Sequence, residues 1–178
     1  MSSLRKGLEK VEVGLKWDPS PLGSPPHDLD LVAATYTRDD PHGRPAYLVH
    51  FDSRSPDGTI TLNRDSRTGQ GFGFDEVMTL ELERLGTQYA RVVVGVAIQQ
   101  SDQPSERGTV FADVANTAVR IREGYTDLSQ HDLSTVHESS AAMIGEFRRD
   151  TDGEWSFHEV IRGFEGDLQT FAAAMGTL

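Results

Sequence analysis

Two aspartates, Asp28 and Asp30, stand two residues apart at the start of an apolar stretch. Successive side chains of a strand alternate between its faces, so both carboxylates would share the face of Val32, Ala34 and Tyr36. Like charges at the rim of an apolar face are unfavourable unless a cation neutralises them or both face water. The pair is therefore either part of a cation site or a solvated strand end.

A glycine-rich loop with carboxylates at both ends forms the second candidate site. It runs from residue 65 to residue 76 and has glycine at positions 69, 71 and 73. Glycine adopts backbone conformations closed to other residues, so main-chain carbonyl groups can turn inward here beside side-chain oxygens. Such a loop would supply the oxygen ligands that calcium takes. The side-chain oxygens belong to Asp65, Gln70, Asp75 and Glu76.

Other functions of glycine-rich loops fit these residues less well. Asp65 and Glu76 have the spacing of the first and last ligands of an EF-hand, but Arg67 occupies a ligand position and Gln70 the required glycine position. A dinucleotide fingerprint requires a helix after the loop, and a phosphate-binding loop requires Gly-Lys-Ser/Thr, whereas a strand pattern follows here. A hairpin tip without any ligand is the structural alternative.

The residue types needed for most covalent and transition-metal chemistry are missing or scattered. The chain has no cysteine, which excludes disulfides, thiolate metal sites and cysteine nucleophiles. Its six histidines include no pair four residues apart, and no Gly-x-Ser-x-Gly nucleophile elbow occurs. We therefore predict a protein without catalytic activity.

Charge and length narrow the classes of partner. The 178 residues include 28 acidic and 17 basic ones, which gives a formal net charge of −11. Such a surface repels phosphate backbones and anionic headgroups, so neither nucleic acid nor a membrane surface is an expected partner. The length suits one domain over residues 1–178. Neither a signal peptide nor an apolar run of ~20 residues is present, so a cytoplasmic location is expected.

Strand patterns dominate the chain. Alternating or β-branched stretches occur at residues 11–17, 29–37, 46–51, 59–62, 77–82, 91–99 and 119–122. Pro56-Asp57-Gly58 is a turn, which we interpret as a hairpin between two of these stretches. Asp152-Gly153 separates residues 143–148 from 155–161 and predicts a second hairpin.

Helical signals are few and short. Asp167 can cap a helix that runs through Leu168 and Phe171 and ends at Gly176, and residues 109–115 suit a short helix. Many strands with little helix predict a mostly β fold, a β-sandwich of two antiparallel sheets with a few short helices, including one near the C-terminus.

Several motifs occur in an order and spacing that identify a family. They are Leu4-Arg5-Lys6-Gly7, Gly14-Leu15-Lys16-Trp17-Asp18, Asp28-Leu29-Asp30, Ser55-Pro56-Asp57-Gly58, the loop ending in Asp75-Glu76, the block from Phe111 to Ile121, and the hairpin of Gly145-Glu146-Phe147-Arg148 with Glu154-Trp155-Ser156-Phe157. Together they resemble the tellurium-resistance TerD domain family, whose members are bacterial stress-associated calcium-binding β-sandwiches. The resemblance spans nearly the whole chain.

The resemblance implies calcium bound between loops at one end of the sandwich. By position, the implied ligands are Asp28, Asp30, Asp52, Asp65, Gln70, Asp75 and Glu76. The chain departs from the family pattern because Ser66, Gln70, Phe72 and Phe74 replace polar or acidic residues. Each lost carboxylate weakens attraction for the ion, so one retained site and one weakened site are expected.

The function implied is a non-catalytic, calcium-binding module of a stress response, in which the ion orders loops that present a surface to other proteins. A degenerate member that binds no metal and acts as a structural or assembly partner is one alternative. Another is calcium-dependent membrane docking through Phe72 and Phe74, unless both rings pack on the rim of a sheet.

Overall fold

Two antiparallel sheets form the fold, as predicted. The computed structural model describes residues 7–100 and 108–177, so Leu4, Arg5 and Lys6 of the first family motif lie outside the described residues. Eleven strands occur in the described part of the chain. Both sheets place apolar side chains on the faces that meet, and this shared layer is the main core.

Sheet A has five strands in the order β4-β5-β1-β7-β8. Their bounds are Lys10–Lys16 for β1, Ile60–Arg64 for β4, Glu76–Glu81 for β5, Ala118–Glu123 for β7 and Thr126–His131 for β8. Strand β1 alternates as the sequence pattern predicts, with Val11, Val13 and Leu15 in the core. On the opposite face of sheet A, Lys10 and Lys16 are exposed and Glu12 is partly exposed.

Sheet B has the order β10-β9-β6-β2-β3, and β11 also pairs with β9. The bounds are Leu29–Thr37 for β2, Tyr47–Val49 for β3, Tyr89–Ile98 for β6, Ala141–Arg149 for β9, Trp155–His158 for β10 and Arg162–Phe164 for β11. Its central strands are buried on both faces, which explains their continuous apolar sequences.

The described part of the chain has one α-helix, α1 (Leu168–Ala174), which packs on the outer face of sheet B. Asp167 caps it as predicted, since its carboxylate accepts the N–H of Thr170 at 2.8 Å. The residues that continue the Asp30 face of β2, among them Val32 and Tyr36, pack against Phe171 of this helix. Short 3-10 turns occur at Leu82–Arg84, Phe111–Asp113, Ser134–Val136 and Met175–Thr177. No helix among the described residues is long and apolar enough to cross a bilayer.

Three details of the strand prediction are wrong. The turn at Gly58 is real, with φ of +74°, but it joins β3 of sheet B to β4 of sheet A and is therefore a crossover between the sheets, not a hairpin. Strand β8 was not predicted, because an edge strand with one face in solvent has few apolar residues in its sequence. The strand expected at 155–161 ends at His158, and β11 then pairs with the other half of β9.

Candidate metal centre

Three carboxylates from the two sheets converge at one end of the sandwich. Asp28 and Asp30 flank the first residue of β2 in sheet B, and Glu76 is the first residue of β5 in sheet A. One oxygen from each carboxylate lies within 4.8 Å of the other two. We call Asp28, Asp30 and Glu76 the carboxylate cluster. No sequence spacing predicts this grouping, because in the described part of the chain no strand pairing joins the two sheets that supply its members.

The short length of β3 creates the opening in which the cluster sits. Strand β3 pairs only with residues Ala33 to Thr35 of β2, so the N–H of Leu31 lies beyond the end of its neighbour. The Glu76 carboxylate fills this place and accepts the Leu31 N–H at 2.6 Å. Glu76 points inward from β5, on the same face as Met78 and Leu80. Its side chain thus connects the two sheets.

Burial leaves two oxygens of the cluster without partners. Asp30 is 3 % exposed and Glu76 is 0 % exposed. The Oε1 atom of Glu76 and the Oδ1 atom of Asp28 are buried and accept no hydrogen bond from any residue that the structure describes. A buried polar atom without a partner is destabilising by about 1–3 kcal/mol, and more when it is charged. The donors are all carboxylate oxygens, which is the chemistry that hard divalent cations prefer.

The pKa values of the cluster reflect the same crowding. Burial, followed by the charge of Asp65, raises the pKa of Asp28 to about 6. Burial, followed by the charges of Asp28 and Asp65, raises the pKa of Asp30 to about 7. For Glu76, burial again comes first, and its pKa rises to about 11. Without a cation, the folded protein therefore holds protons at these carboxyl groups that exposed aspartates and glutamates would have released.

Among the described residues, no basic side chain neutralises the cluster. Within residues 7–100 and 108–177, no lysine, arginine or histidine forms an ion pair with Asp28, Asp30 or Glu76. Arg67 lowers the pKa of Asp28, but its charge is a smaller influence than burial and Asp65. The excess negative charge is thus left for a cation or protons to balance.

Asp65 lies beside the cluster at the end of β4. Its charge raises the pKa of all three cluster carboxyls, and its side chain contacts that of Glu76. The Asp65 side chain is exposed to solvent. It could therefore close the outer side of a cation site, and its role as a ligand stays a prediction.

The other three predicted ligands lie outside the cluster, and their ligand role is a prediction too. Asp75 accepts the N–H of Trp17 at 2.9 Å. Burial raises the pKa of Asp75, and the charges of Arg64 and Lys16 partly oppose this rise. Adjacent strand residues point to opposite faces, which separates Asp75 from Glu76. Gln70 and Asp52 are exposed.

Trp17 positions both loops of the site, a role that sequence reasoning missed. Its indole N–H donates to the carbonyl of His27 at 2.8 Å, beside Asp28. Its own N–H holds Asp75, as described above, and its ring supports the glycine loop at Gly69. A Cβ atom at Gly69 would lie 2.6 Å from the indole nitrogen, and the φ of +76° there also requires glycine. The motif Gly14-Leu15-Lys16-Trp17-Asp18 was the signal that could have identified it.

Several known proteins are similar to this chain in sequence, and two solved structures are similar to it in fold. A crystal structure of a protein of unknown function is 60% identical, covers 96% of this chain and 98% of its own, and has a TM-score of 0.91. A homologue of the telluride resistance protein TerD from Streptomyces coelicolor A3(2) is 53% identical with the same coverage and TM-score. General stress protein 16U of Bacillus subtilis (strain 168) is 28% identical over 99% of this chain and 92% of its own. The family model of the TerD domain matches residues 1–174, and the chain therefore belongs to the TerD family.

Proposed function

We propose that the protein is a calcium-binding, non-catalytic module of a bacterial stress response that acts in the cytoplasm by binding other proteins. The observation that carries the calcium proposal is the carboxylate cluster with its two unpartnered buried oxygens. The stress setting is carried over from relatives named for telluride resistance and general stress.

Calcium fits the cluster better than zinc does. Calcium takes six to eight oxygen ligands at about 2.3–2.6 Å, so oxygens within 4.8 Å of one another can share a single ion. Zinc sites are usually built from cysteine and histidine, and the grouped residues include neither. Asp65 and carbonyl groups of the glycine loop would supply further oxygens. Deep burial of Asp30 and Glu76 leaves these groups little access to a substrate, which supports a non-catalytic role.

Calcium should abolish the fall of stability with rising pH that the raised pKa values of Asp28 and Asp30 produce. Unfolded aspartates ionise near pH 3.8, whereas folded Asp28 and Asp30 ionise near 6 and 7. Between these values the folded state binds more protons, so the melting temperature in chelator should fall as the pH rises from about 4 to 7. Calcium holds the carboxylates ionised, so the fall should be absent with saturating calcium.

Differential scanning calorimetry across this pH range tests the expectation. The double variant Asp28→Asn, Asp30→Asn should have the same melting temperature in calcium and in chelator. At acidic pH, its melting temperature should stay close to that of the wild type. An equal pH dependence in calcium and in chelator for the wild type would contradict the proposal.

Trp17→Phe should weaken calcium binding while preserving the fold. The phenyl ring fills most of the indole space but cannot donate to the His27 carbonyl, so the loop before Asp28 loses one anchor. The loss of one hydrogen bond of about 1 kcal/mol corresponds to a roughly fivefold weaker dissociation constant. Isothermal titration calorimetry measures this change.

Trp155→Phe is the matched control for this variant. Trp155 is also buried and lies on β10, away from the cluster, but its indole N–H has no hydrogen-bond partner in the part of the chain that the structure describes. Its replacement should leave calcium affinity unchanged. Equal weakening in both variants would show a general loss of packing and would remove the positioning role of Trp17.

The membrane alternative loses one of its two aromatic anchors. Phe74 packs on the outer face of sheet A beneath Arg120, at 4.4 Å from the ring centre, whereas Phe72 is 97 % exposed. One exposed ring on a chain of net charge −11 is weak support for docking. We expect no sedimentation with phosphatidylserine vesicles in calcium, and sedimentation that Phe72→Ser abolishes would establish the alternative.

A further inference from the structure

The outer face of sheet A carries an aromatic ring held in a fixed place. Phe74 lies across β1 at Gly14, where an added Cβ atom would come within 2.7 Å of the ring. Arg120 of β7 is the cross-strand partner of Gly14, and its guanidinium stacks on the ring. The glycine in the middle of β1 and the stacked arginine thus both accommodate Phe74. Neither interaction belongs to the carboxylate cluster.

An open groove of about 590 Å³ surrounds this ring. We call its outward-facing part, which consists of Lys16, Phe74, Ala118, Arg120 and Gln130, the Phe74 face. Among the described residues, neither cation of this face forms an ion pair with a carboxylate. On a chain of net charge −11, two adjacent unpaired cations beside an apolar surface form a local site of opposite sign.

The titratable groups at the rim of the groove offset part of this charge. Asp132 lines the groove, but its carboxylate accepts the N–H of Ser134 at 2.9 Å and belongs to that turn. His131 also lines the groove, and its Nδ1 atom accepts the N–H of Leu133 at 2.8 Å. Asp132 stays ionised and offsets one positive charge, and Lys16 also attracts the Asp75 carboxylate. Among the described residues, however, no carboxylate forms an ion pair with Lys16 or Arg120, so both cations can contact a ligand.

We propose that the Phe74 face is a docking surface for a carboxylate-rich peptide segment of a partner protein, and that cation binding at the neighbouring cluster strengthens this docking. The second part rests on the proposed calcium function. Stacking fixes the plane of the Arg120 guanidinium. Its N–H groups form no ion pair with a described carboxylate, so they can make bidentate contact with a carboxylate of the partner. Lys16 supplies a second charge, and Phe74 with Ala118 supplies apolar contact. A second copy of this chain is a poorer occupant because two chains of charge −11 repel.

The chain itself connects the Phe74 face to the cluster. Phe74 directly precedes Asp75, whose N–H donates to the carbonyl of Leu15 at 2.8 Å. Glu76 of the cluster is the next residue and pairs with the same Leu15 in the sheet register. A cation that holds Glu76 in place therefore also restrains the backbone that carries the Phe74 ring. A loop that is already restrained loses less conformational entropy when the partner binds, so binding is tighter.

Fluorescence anisotropy with a labelled octaglutamate peptide tests the docking surface. At low ionic strength, the wild type should bind the peptide in calcium and bind it at least fivefold more weakly in chelator. Arg120→Glu should weaken binding in calcium by at least tenfold, and Arg120→Gln should do so by a smaller factor. Lys10→Glu is the matched control, because Lys10 is exposed on β1, at the opposite end of that strand from Lys16 of the Phe74 face. It should change binding by less than twofold.

Calcium titration calorimetry of the same proteins separates the two proposals. Unchanged calcium heat in Arg120→Glu shows that the variant is folded and that its defect lies in docking. Calcium heat without peptide binding in the wild type would overturn the docking surface alone. Peptide binding that Arg120 controls, without any calcium heat, would support the docking surface and overturn both its calcium control and the proposed function.

Three other results would also overturn the docking proposal. Equal weakening by Lys10→Glu and Arg120→Glu would show unspecific charge effects. Binding to phosphatidylserine vesicles in place of the peptide, lost in Arg120→Glu, would assign the face to a membrane. Dimers in sedimentation velocity that Arg120→Glu dissociates would assign it to a second copy of the chain.

Discussion

Replacing Glu76 with glutamine should abolish the calcium-induced rise in melting temperature and leave the melting temperature in chelator nearly unchanged. Calcium at a hundred times its dissociation constant should add about 2.7 kcal/mol to the free energy of unfolding of the wild type. For a chain of this size, that corresponds to about 5–10 °C. Differential scanning calorimetry in calcium and in chelator resolves a shift of this size.

The two halves of this expectation have separate physical causes. Burial raises the pKa of Glu76 to about 11, so its carboxyl group is neutral at pH 7 when no cation is bound. Glutamine is also neutral and keeps an oxygen that can accept the Leu31 N–H, as Glu76 does at 2.6 Å. Stability in chelator should therefore be preserved. The amide carries no negative charge, however, and ligand charge is a main determinant of calcium affinity.

Asp52→Asn is the matched control for the Glu76 variant. Asp52 was predicted as a ligand, but it is exposed, and its N–H donates to the ring of His50 at 3.2 Å. We expect this variant to retain the full calcium shift. A full shift in Glu76→Gln would refute the cluster as the calcium site. The metal-free alternative predicts no shift in any of the proteins, the wild type included.

Replacing Arg91 with methionine should lower the free energy of unfolding by about 3–5 kcal/mol. The Nε atom of Arg91 donates to Glu146 at 2.7 Å, and both side chains are almost completely buried. Arg91 also donates to the carbonyls of Pro41 and Gly176, at 2.9 and 2.8 Å. The variant leaves Glu146 with one partner, Arg148, whose side chain is half exposed.

Urea denaturation with two further variants tests this explanation. Arg84→Met removes an exposed pair with Glu81 and should cost at most about 1 kcal/mol. The double variant Arg91→Met, Glu146→Leu removes both buried charges and should recover part of the loss. An equal loss of free energy of unfolding in Arg84→Met and Arg91→Met would contradict the explanation by burial. The calcium shift should persist in Arg91→Met, because Arg91 pairs with Tyr36 at the opposite end of β2 from the cluster.

Local patterns in the sequence were sufficient for the fold class and for part of the site. Alternation placed Asp28 and Asp30 on one face, and the resemblance named both among the ligands. The Asp167 cap and Gly176 marked the C-terminal helix. These features depend on residues close together in the chain, where side-chain direction follows from backbone geometry alone. The turn at Gly58 was also predictable from neighbouring residues. That it joins a strand of sheet B to a strand of sheet A was not.

Only the tertiary structure decided which predicted ligands converge. Asp28 and Asp30 come from sheet B and Glu76 from sheet A, and the early end of β3 opens the place where they meet. Asp52 and Gln70 have the right residue types, yet both are directed to solvent. The physical reason is that strand alternation is a local property, whereas pairing between distant strands and the packing of one sheet on another depend on contacts far apart in the chain.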